Sequence, residues 1–447
     1  MLQKLFRNIS QTRLIALSFV LVILTGTLLL CLPIASREHE WTHFIDALFT
    51  ATSATCVTGL IVFDTYTHWS LFGQLVILLM IQIGGIGLMT IITMFFIFMK
   101  KKIGVHERMI LMQSAGTMRI SGVIRLIKKI FLGTLLIEGI GAVLLSFRFI
   151  PMLGVAKGIY YSIFHSISAF CNAGFDLMGY FEPFSSLTGF QTDWYINLII
   201  MLLIIIGGIG FLVWMDIVKF KVSFSKYQLH SKIVLITTAI LLVTGFIGFL
   251  FLEQQHSLKG MSFGDQILSS LFMSVTTRTA GYNTIDLNTL SPSGSLLSVI
   301  LMAIGGSPGS TAGGIKTSTV ALIFLTMASL TKGDSDVILF KKRLENRLIK
   351  QAAIIIMVYG AGILLSTILI CHIEQASLTS VLFETSSAIG TVGLTQGLTP
   401  SLNLFSRLLL ILMMFGGRIG AVSLLLVFRE HEKSAPTSRP AEKILIG

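Results

Sequence analysis

The sequence predicts an all-α membrane protein with eight membrane spans, built from four parallel repeats of helix, pore helix and helix in a pseudo-fourfold arrangement around a central pore. Charged residues make up 12% of the 447 residues, about half the ~25% of a soluble chain. Mean hydropathy is +0.85. Eight long apolar stretches and four evenly spaced glycine turns complete the pattern.

Eight stretches are long enough to cross a bilayer, which takes about 20 residues at 1.5 Å per residue. The first exceeds the apolar core of a typical signal peptide, so we interpret it as a membrane helix. The sixth is too long for one straight helix. The eight stretches are 14–35, 70–99, 130–147, 194–215, 233–252, 287–331, 351–371 and 408–428.

Basic residues are concentrated on one side of this topology. The chain ends and three alternate linkers hold 25 of the 33 Lys and Arg residues. Such an excess marks cytoplasmic segments, so both termini are predicted to be cytoplasmic. The net charge of +12 therefore needs no nucleic-acid partner to explain it.

Each pair of spans encloses a short segment that ends in a glycine turn. The central glycines are Gly59, Gly174, Gly281 and Gly393, and each short segment is too brief to cross a membrane. This predicts re-entrant pore helices in parallel repeats. The predicted divisions are a cytoplasmic N-terminus (1–12), pore repeat 1 (13–99), a basic linker with repeat 2 (100–220), repeat 3 (221–331), a basic linker with repeat 4 (332–429) and a cytoplasmic tail (430–447).

Irregular backbone at membrane depth is tolerated where it is buried in protein or lines an aqueous cavity. Four turns on one axis would present a ring of carbonyl oxygens able to replace the hydration shell of a monovalent cation, as in potassium-channel TVGYG loops. The pore is thus predicted to conduct ions, with K⁺ bound by backbone carbonyls. The candidate filter residues are Val57, Thr58, Gly59, Asn172, Ala173, Gly174, Thr279, Ala280, Gly281, Thr391, Val392 and Gly393.

A glycine pair follows each turn, within 84–87, 207–210, 305–309 and 416–420. We interpret these pairs as helix-packing sites, but in the third repeat Pro308 and further glycines break the span. That break predicts a movable gate, with a static kink as the alternative. Lys316 could pair with pore acids or extend toward the cytoplasm. The gate candidates are Gly305, Gly306, Ser307, Pro308, Gly309, Ser310, Thr311, Ala312, Gly313, Gly314, Lys316 and Arg418.

Arg418 lies at the middle of the last span, where an unpaired cation is costly. It follows the glycine pair at the place that Ile86, Ile209 and Ser307 take in the other repeats. It is predicted to form an electrostatic barrier below the filter, and the alternative is a structural ion pair, for example with Glu138.

Arg278 precedes the third turn. We expect it to brace a neighbouring turn by bonding to a carboxylate or carbonyl group.

The turns VTGL, NAGF, TAGY and TVGL, with the stretch GGSPGSTAGGIK at 305–316, resemble the KtrB-type membrane subunits of bacterial potassium uptake systems, in the TrkH, KtrB and HKT group. The resemblance implies K⁺ uptake, often dependent on Na⁺, in the bacterial inner membrane. It also implies a homodimer on a cytosolic nucleotide-binding (RCK-type) ring. The basic linkers could dock that ring or attract anionic membrane lipid.

Several alternatives stay open from sequence. The same fold could carry Na⁺ or monovalent cations without selectivity. An organic solute carrier would favour inverted repeats, and a membrane enzyme would need a motif such as HExxH or GxSxG in its proper structural context. HEWTH at 39–43 and GGSPG at 305–309 match these patterns by letter only, because the first lies in the loop after the first span and the second lies inside an apolar span. We therefore predict no enzyme activity. No GxGxxG motif follows a strand pattern, so this chain is expected to bind no nucleotide.

Overall fold

The computed structural model describes residues 11–99, 109, 111–112, 122–333, 336–340 and 342–420. The predicted tail at 430–447 and most of the linker at 100–129 lie outside these residues. The helices of the described chain are α1 (Gln11–Cys31), α2 (Phe44–Cys56), α3 (Leu71–Ile86), α4 (Leu88–Phe98), α5 (Val123–Leu153), α6 (Val155–Phe170), α7 (Trp194–Gly208), α8 (Phe211–Phe220), α9 (Leu229–Leu252), α10 (Phe263–Thr276), α11 (Pro292–Ala303), α12 (Thr317–Thr331), α13 (Asn346–Glu374), α14 (Leu378–Gly390) and α15 (Leu404–Ile419).

Short elements connect these helices. Strand β1 (Ile338–Leu339) pairs antiparallel with β2 (Lys342–Arg343) in the basic linker before repeat 4, with Ile338 opposite Arg343. Single 3₁₀ turns are Pro33–Ala35, Met178–Tyr180, Thr188–Phe190, Phe224–Lys226, Leu287–Thr289 and Thr399–Ser401.

The first span of each predicted repeat is one continuous helix. Within the described residues α1, α5, α9 and α13 are long and apolar enough to cross a membrane, and α7 with α8 would be a fifth span if the bent pair is counted as one. Their outward faces carry exposed apolar side chains. On α1, Leu17, Leu21, Leu24 and Leu28 are all more than 45% exposed, at helical spacing. A continuous apolar stripe of this kind suits contact with lipid.

The second spans of repeats 1 and 2 are broken, although the sequence predicted a break in repeat 3 only. Gly87 separates α3 from α4, and α7 meets α8 at 99°. Gly87 and Gly210 have φ of +91° and +97°, which L side chains rarely adopt. The sequence analysis did not predict these two breaks, because it interpreted the glycine motifs at 84–87 and 207–210 only as packing sites.

The pore helices α2, α6, α10 and α14 are 13 to 16 residues long. Serine caps start two of them: Ser262 accepts from the Asp265 N–H and Ser377 from the Ser380 N–H. The pore helices and the second helices pack on one another in a series whose two ends, α10 and α11, both pack on α9. Helix α3 packs on α2 and α6, α7 on α6 and α10, α11 on α14, and α15 on α14 and α2.

Glycines in the second helices allow this close packing. A Cβ added at any of three of them would come within about 2 Å of a backbone carbonyl oxygen in the last turn of a pore helix. The distances are 2.0 Å from Gly84 to Thr55, 1.9 Å from Gly207 to Phe170, and 2.1 Å from Gly417 to Ile389.

Replacing Gly207 with Ala should destabilise the protein by about 1–3 kcal/mol, because the new methyl group would overlap the Phe170 carbonyl oxygen. Thermal melting of the detergent-solubilised protein measures this. The control is Gly139→Ala on α5, where an added Cβ meets nothing within 4 Å. Equal melting temperatures for the two variants would contradict the packing role.

Candidate ion pore

The four central glycines lie side by side. A Cβ added to Gly59 would lie 3.2 Å from the Cα of Gly174 and 3.3 Å from the Cα of Gly393. A Cβ added to Gly281 would lie 3.1 Å and 3.3 Å from the same two atoms. Turns that are more than 100 residues apart in sequence therefore meet at one place.

Carbonyl oxygens close this arrangement into a ring. Each glycine approaches the carbonyl of the residue just before the glycine of the next repeat, so the contacts run from repeat 1 to 2, 3, 4 and back to 1. The distances from an added Cβ to that oxygen are 2.5 Å (Gly59 to Ala173), 2.7 Å (Gly174 to Ala280), 2.5 Å (Gly281 to Val392) and 2.3 Å (Gly393 to Thr58).

The four turns share an unusual backbone. Each central glycine has a positive φ, and so does the residue two positions before it. Those residues carry side chains, for which a left-handed conformation is uncommon. They are Val57, Asn172, Thr279 and Thr391, with φ of +57°, +60°, +71° and +51°.

A hydroxyl group on each pore helix secures its own turn. Ser53 and Ser387 accept hydrogen bonds of 3.0 Å from the N–H groups of their central glycines. In repeats 2 and 3, Ser168 and Thr276 instead donate to the carbonyl of the residue after the glycine, at 2.7 Å and 2.5 Å. The sequence analysis missed these hydroxyls, although Ser or Thr precedes each glycine by five or six residues.

The broken segment of repeat 3 packs against two turns. Thr311 Oγ1 donates to Phe170 O at 3.2 Å and lies 3.0 Å from Asn172 Oδ1, at the second turn. A Cβ added to Gly313 would lie 2.1 Å from Thr391 Oγ1, at the fourth turn. The Ser307 N–H also donates to Gly208 O at 3.0 Å. This segment therefore lies directly against the ring of turns.

Lys316 and Arg418 both bind backbone carbonyls near this segment. Lys316 Nζ donates to Ala312 O at 2.7 Å and to Gly313 O at 3.3 Å, so it makes neither of the two interactions predicted for it. Arg418 donates to Thr311 O through Nη1 and to Gly84 O through Nη2. It links the broken segment to the end of α3.

The alternative that Arg418 pairs with Glu138 is wrong. In the described part of the chain, the Glu138 carboxylate accepts from Gln82 Nε2 at 2.9 Å and contacts the Cys171 thiol at 3.8 Å.

The alignment of Arg418 also needs correction. The positive-φ glycines Gly87, Gly210 and Gly420 mark equivalent places. Counted from them, Arg418 takes the place of Gly85 and not that of Ile86, because GGRIG holds one residue more than GGIG.

Arg278 does not brace a neighbouring turn. The one side-chain hydrogen bond that the structure shows for it runs from Nη2 to Thr238 Oγ1 on α9, at 3.5 Å. The guanidinium therefore lies behind the third turn, away from the ring of carbonyls.

The cation transport protein family named TrkH matches this chain over residues 6–438. The chain belongs to the TrkH family. This match confirms the resemblance found from the turn motifs. The family consists of transport proteins, which also confirms the prediction that the chain is not an enzyme.

Individual relatives match over nearly their whole length. The chain is 42% identical to the potassium/sodium uptake protein NtpJ of Enterococcus hirae, with 100% of this chain and 99% of the relative covered. It is 38% identical to the Ktr system potassium uptake protein B of Bacillus subtilis, over 94% of this chain and 93% of the relative. The crystal structure of the potassium transporter TrkH from Vibrio parahaemolyticus shares the fold, with a TM-score of 0.71 and 18% identity, over 92% of this chain and 84% of that chain.

Ser387→Ala should destabilise the protein by about 1–3 kcal/mol, because the buried Gly393 N–H would lose its acceptor. The neighbouring Ser386 is a matched control, since its buried hydroxyl has no hydrogen-bond partner in the described structure. Thermal melting of both variants tests the role of the hydroxyl. A loss of stability in Ser386→Ala as large as that in Ser387→Ala would contradict it.

Proposed function

We propose that this chain takes up K⁺ across the bacterial inner membrane through the ring of carbonyl oxygens formed by its four glycine turns. This proposal rests on the ring of contacts in which each central glycine lies against the carbonyl oxygen just before the glycine of the next repeat. Relatives named for potassium or potassium/sodium uptake support the choice of ion. Both termini are cytoplasmic in this proposal.

The proposed filter favours monovalent cations. Backbone carbonyls carry only partial charges, which suits a singly charged ion that must enter and leave. The pore helices end at the ring, so the negative ends of their dipoles add to the attraction. The filter is short, because Leu60, Phe175, Tyr282 and Leu394 follow the glycines directly. Discrimination against Na⁺ is therefore moderate, and Na⁺ is the second candidate for transport or coupling.

The broken segment at 305–314 acts as the gate below this filter, and Arg418 holds it in the closed position. Three observations support this: the contact of Thr311 with the second turn, the contact of Gly313 with the fourth, and the bridge that Arg418 makes to α3. A guanidinium beside the ion path also repels cations, and an arrangement held by a few hydrogen bonds can open.

Partners follow from family membership and charge. The relative in Bacillus subtilis is named as a component of a Ktr system, which supports a partner subunit. In this proposal the partner is a cytosolic nucleotide-binding ring. The β1–β2 hairpin, in the basic linker before repeat 4, presents Lys342 and Arg343 as exposed basic residues. They are suited to bind that ring or anionic lipid. A homodimer completes the proposed assembly.

Gly281→Ser should reduce the preference for K⁺ over Na⁺ by about tenfold, because its side chain would crowd the Val392 carbonyl in a strained backbone. Rubidium flux into liposomes, in competition with K⁺ and Na⁺, measures this. The control is Gly189→Ser, at an exposed turn where an added Cβ meets nothing within 4 Å. An unchanged ion preference in correctly folded Gly281→Ser would contradict the assignment of the glycine turns as the selectivity filter.

Arg418→Ala should raise cation flux severalfold, since it removes both the positive charge and the link between Thr311 and α3. Arg148→Ala is the control, because Arg148 is largely exposed and pairs with Asp193. Flux through reconstituted protein tests this. Equal flux in Arg418→Ala and the parent would contradict the proposal that Arg418 holds the gate closed.

A further inference from the structure

A buried cation lies behind the third turn. Arg278 follows α10, three residues before Gly281, and is only 7% exposed. The corresponding residues in the other repeats are Cys56, Cys171 and Gly390, none of which carries a positive charge. The third turn therefore has a guanidinium where the others have a small uncharged residue.

In the described structure this guanidinium has few hydrogen-bond partners and no counter-charge. Its one described side-chain hydrogen bond is the 3.5 Å contact with Thr238, and its Nε has no partner. The ion pairs of the described residues do not include it. A buried charge without a counter-charge is unfavourable, so a group of opposite charge at this position would relieve that cost.

A small cavity adjoins the guanidinium, between α7, α9 and α10. The space open to the centre of a water-sized sphere is about 10 Å³, enough for one small occupant. The other lining residues, none of which has a polar side chain, are Ile204, Ile205, Gly208, Leu242 and Val275.

We propose that this cavity binds one small monovalent anion, with chloride as the natural occupant, held by Arg278. A water molecule in this cavity would leave the guanidinium charge uncompensated, whereas an anion would neutralise it. A monatomic anion is satisfied by the guanidinium N–H donors and neutralises their charge. Phosphate and sulfate are too large for the space. The anion would stabilise the third turn from behind, whichever cation passes through the pore.

The test compares the thermal stability of the full-length protein in detergent in the potassium salts of chloride, bromide, sulfate and gluconate at equal K⁺ concentration. We expect chloride and bromide to raise the melting temperature by about 2 °C or more, in a saturable manner, relative to gluconate and sulfate. In crystals soaked in bromide, anomalous scattering should show one ion beside Arg278.

Variants connect the effect to this site. Arg278→Met should abolish the difference between chloride and gluconate. Leu242→Asp places a carboxylate on the cavity wall and should make stability independent of chloride while keeping Arg278 paired. Arg148→Met, at an exposed arginine, should retain the full chloride effect. If Arg278→Met fails to fold, Leu242→Asp and the bromide position still decide the question.

Four results would overturn the proposal. The parent protein could show equal stability in chloride and gluconate. Sulfate could protect as well as chloride, which would indicate a general salt effect. Phosphatidylglycerol could protect where chloride does not, which would assign the guanidinium to a lipid headgroup. The chloride effect could also persist unchanged in Arg278→Met. None of these measurements depends on ion flux, so they test the anion site independently of the proposed filter.

Discussion

Backbone polar groups inside a membrane must find partners within the protein, because lipid offers none. The four glycine turns leave the helical hydrogen-bond pattern at the end of their pore helices, so their N–H and carbonyl groups need other partners. Hydroxyls at Ser53, Ser168, Thr276 and Ser387 satisfy part of this requirement. The carbonyls just before the glycines face the next repeat, and an ion that lacks its hydration shell is a suitable partner for them.

The same constraint explains why the broken segment of repeat 3 is rich in glycine and hydroxyl groups. Its irregular backbone bonds to Gly207 and Gly208 at the end of α7, and the Phe211 N–H at the start of α8 bonds to Gly309 O. The Ser307 hydroxyl accepts from Thr317 at 3.0 Å. Arg418 and Lys316 supply further donors to the segment. The pore region of this family member thus depends on side chains that replace lost helical hydrogen bonds.

The four glycine turns are similar in backbone and different in chemistry. Position three before the central glycine holds cysteine in repeats 1 and 2, arginine in repeat 3 and glycine in repeat 4. Arg418 in repeat 4 occupies the position equivalent to Gly85 and Gly208. These substitutions place one positive charge beside the third turn, at Arg278, and one against the broken segment, at Arg418. A chain with four repeats can vary each one separately, whereas a symmetric tetramer cannot.

Sequence alone determined the features that depend on local order: the long first helix of each repeat, the spacing of the glycine turns and the family to which the chain belongs. Apolar length and glycine spacing are properties of neighbouring residues and can be read along the chain. Tertiary structure decided the rest. Only packing showed that Arg418 binds carbonyls and not Glu138, that Arg278 turns toward α9, and that α3 and α7 end at their glycines. Those outcomes depend on which groups more than a hundred residues away come within hydrogen-bonding distance, and no local pattern specifies that.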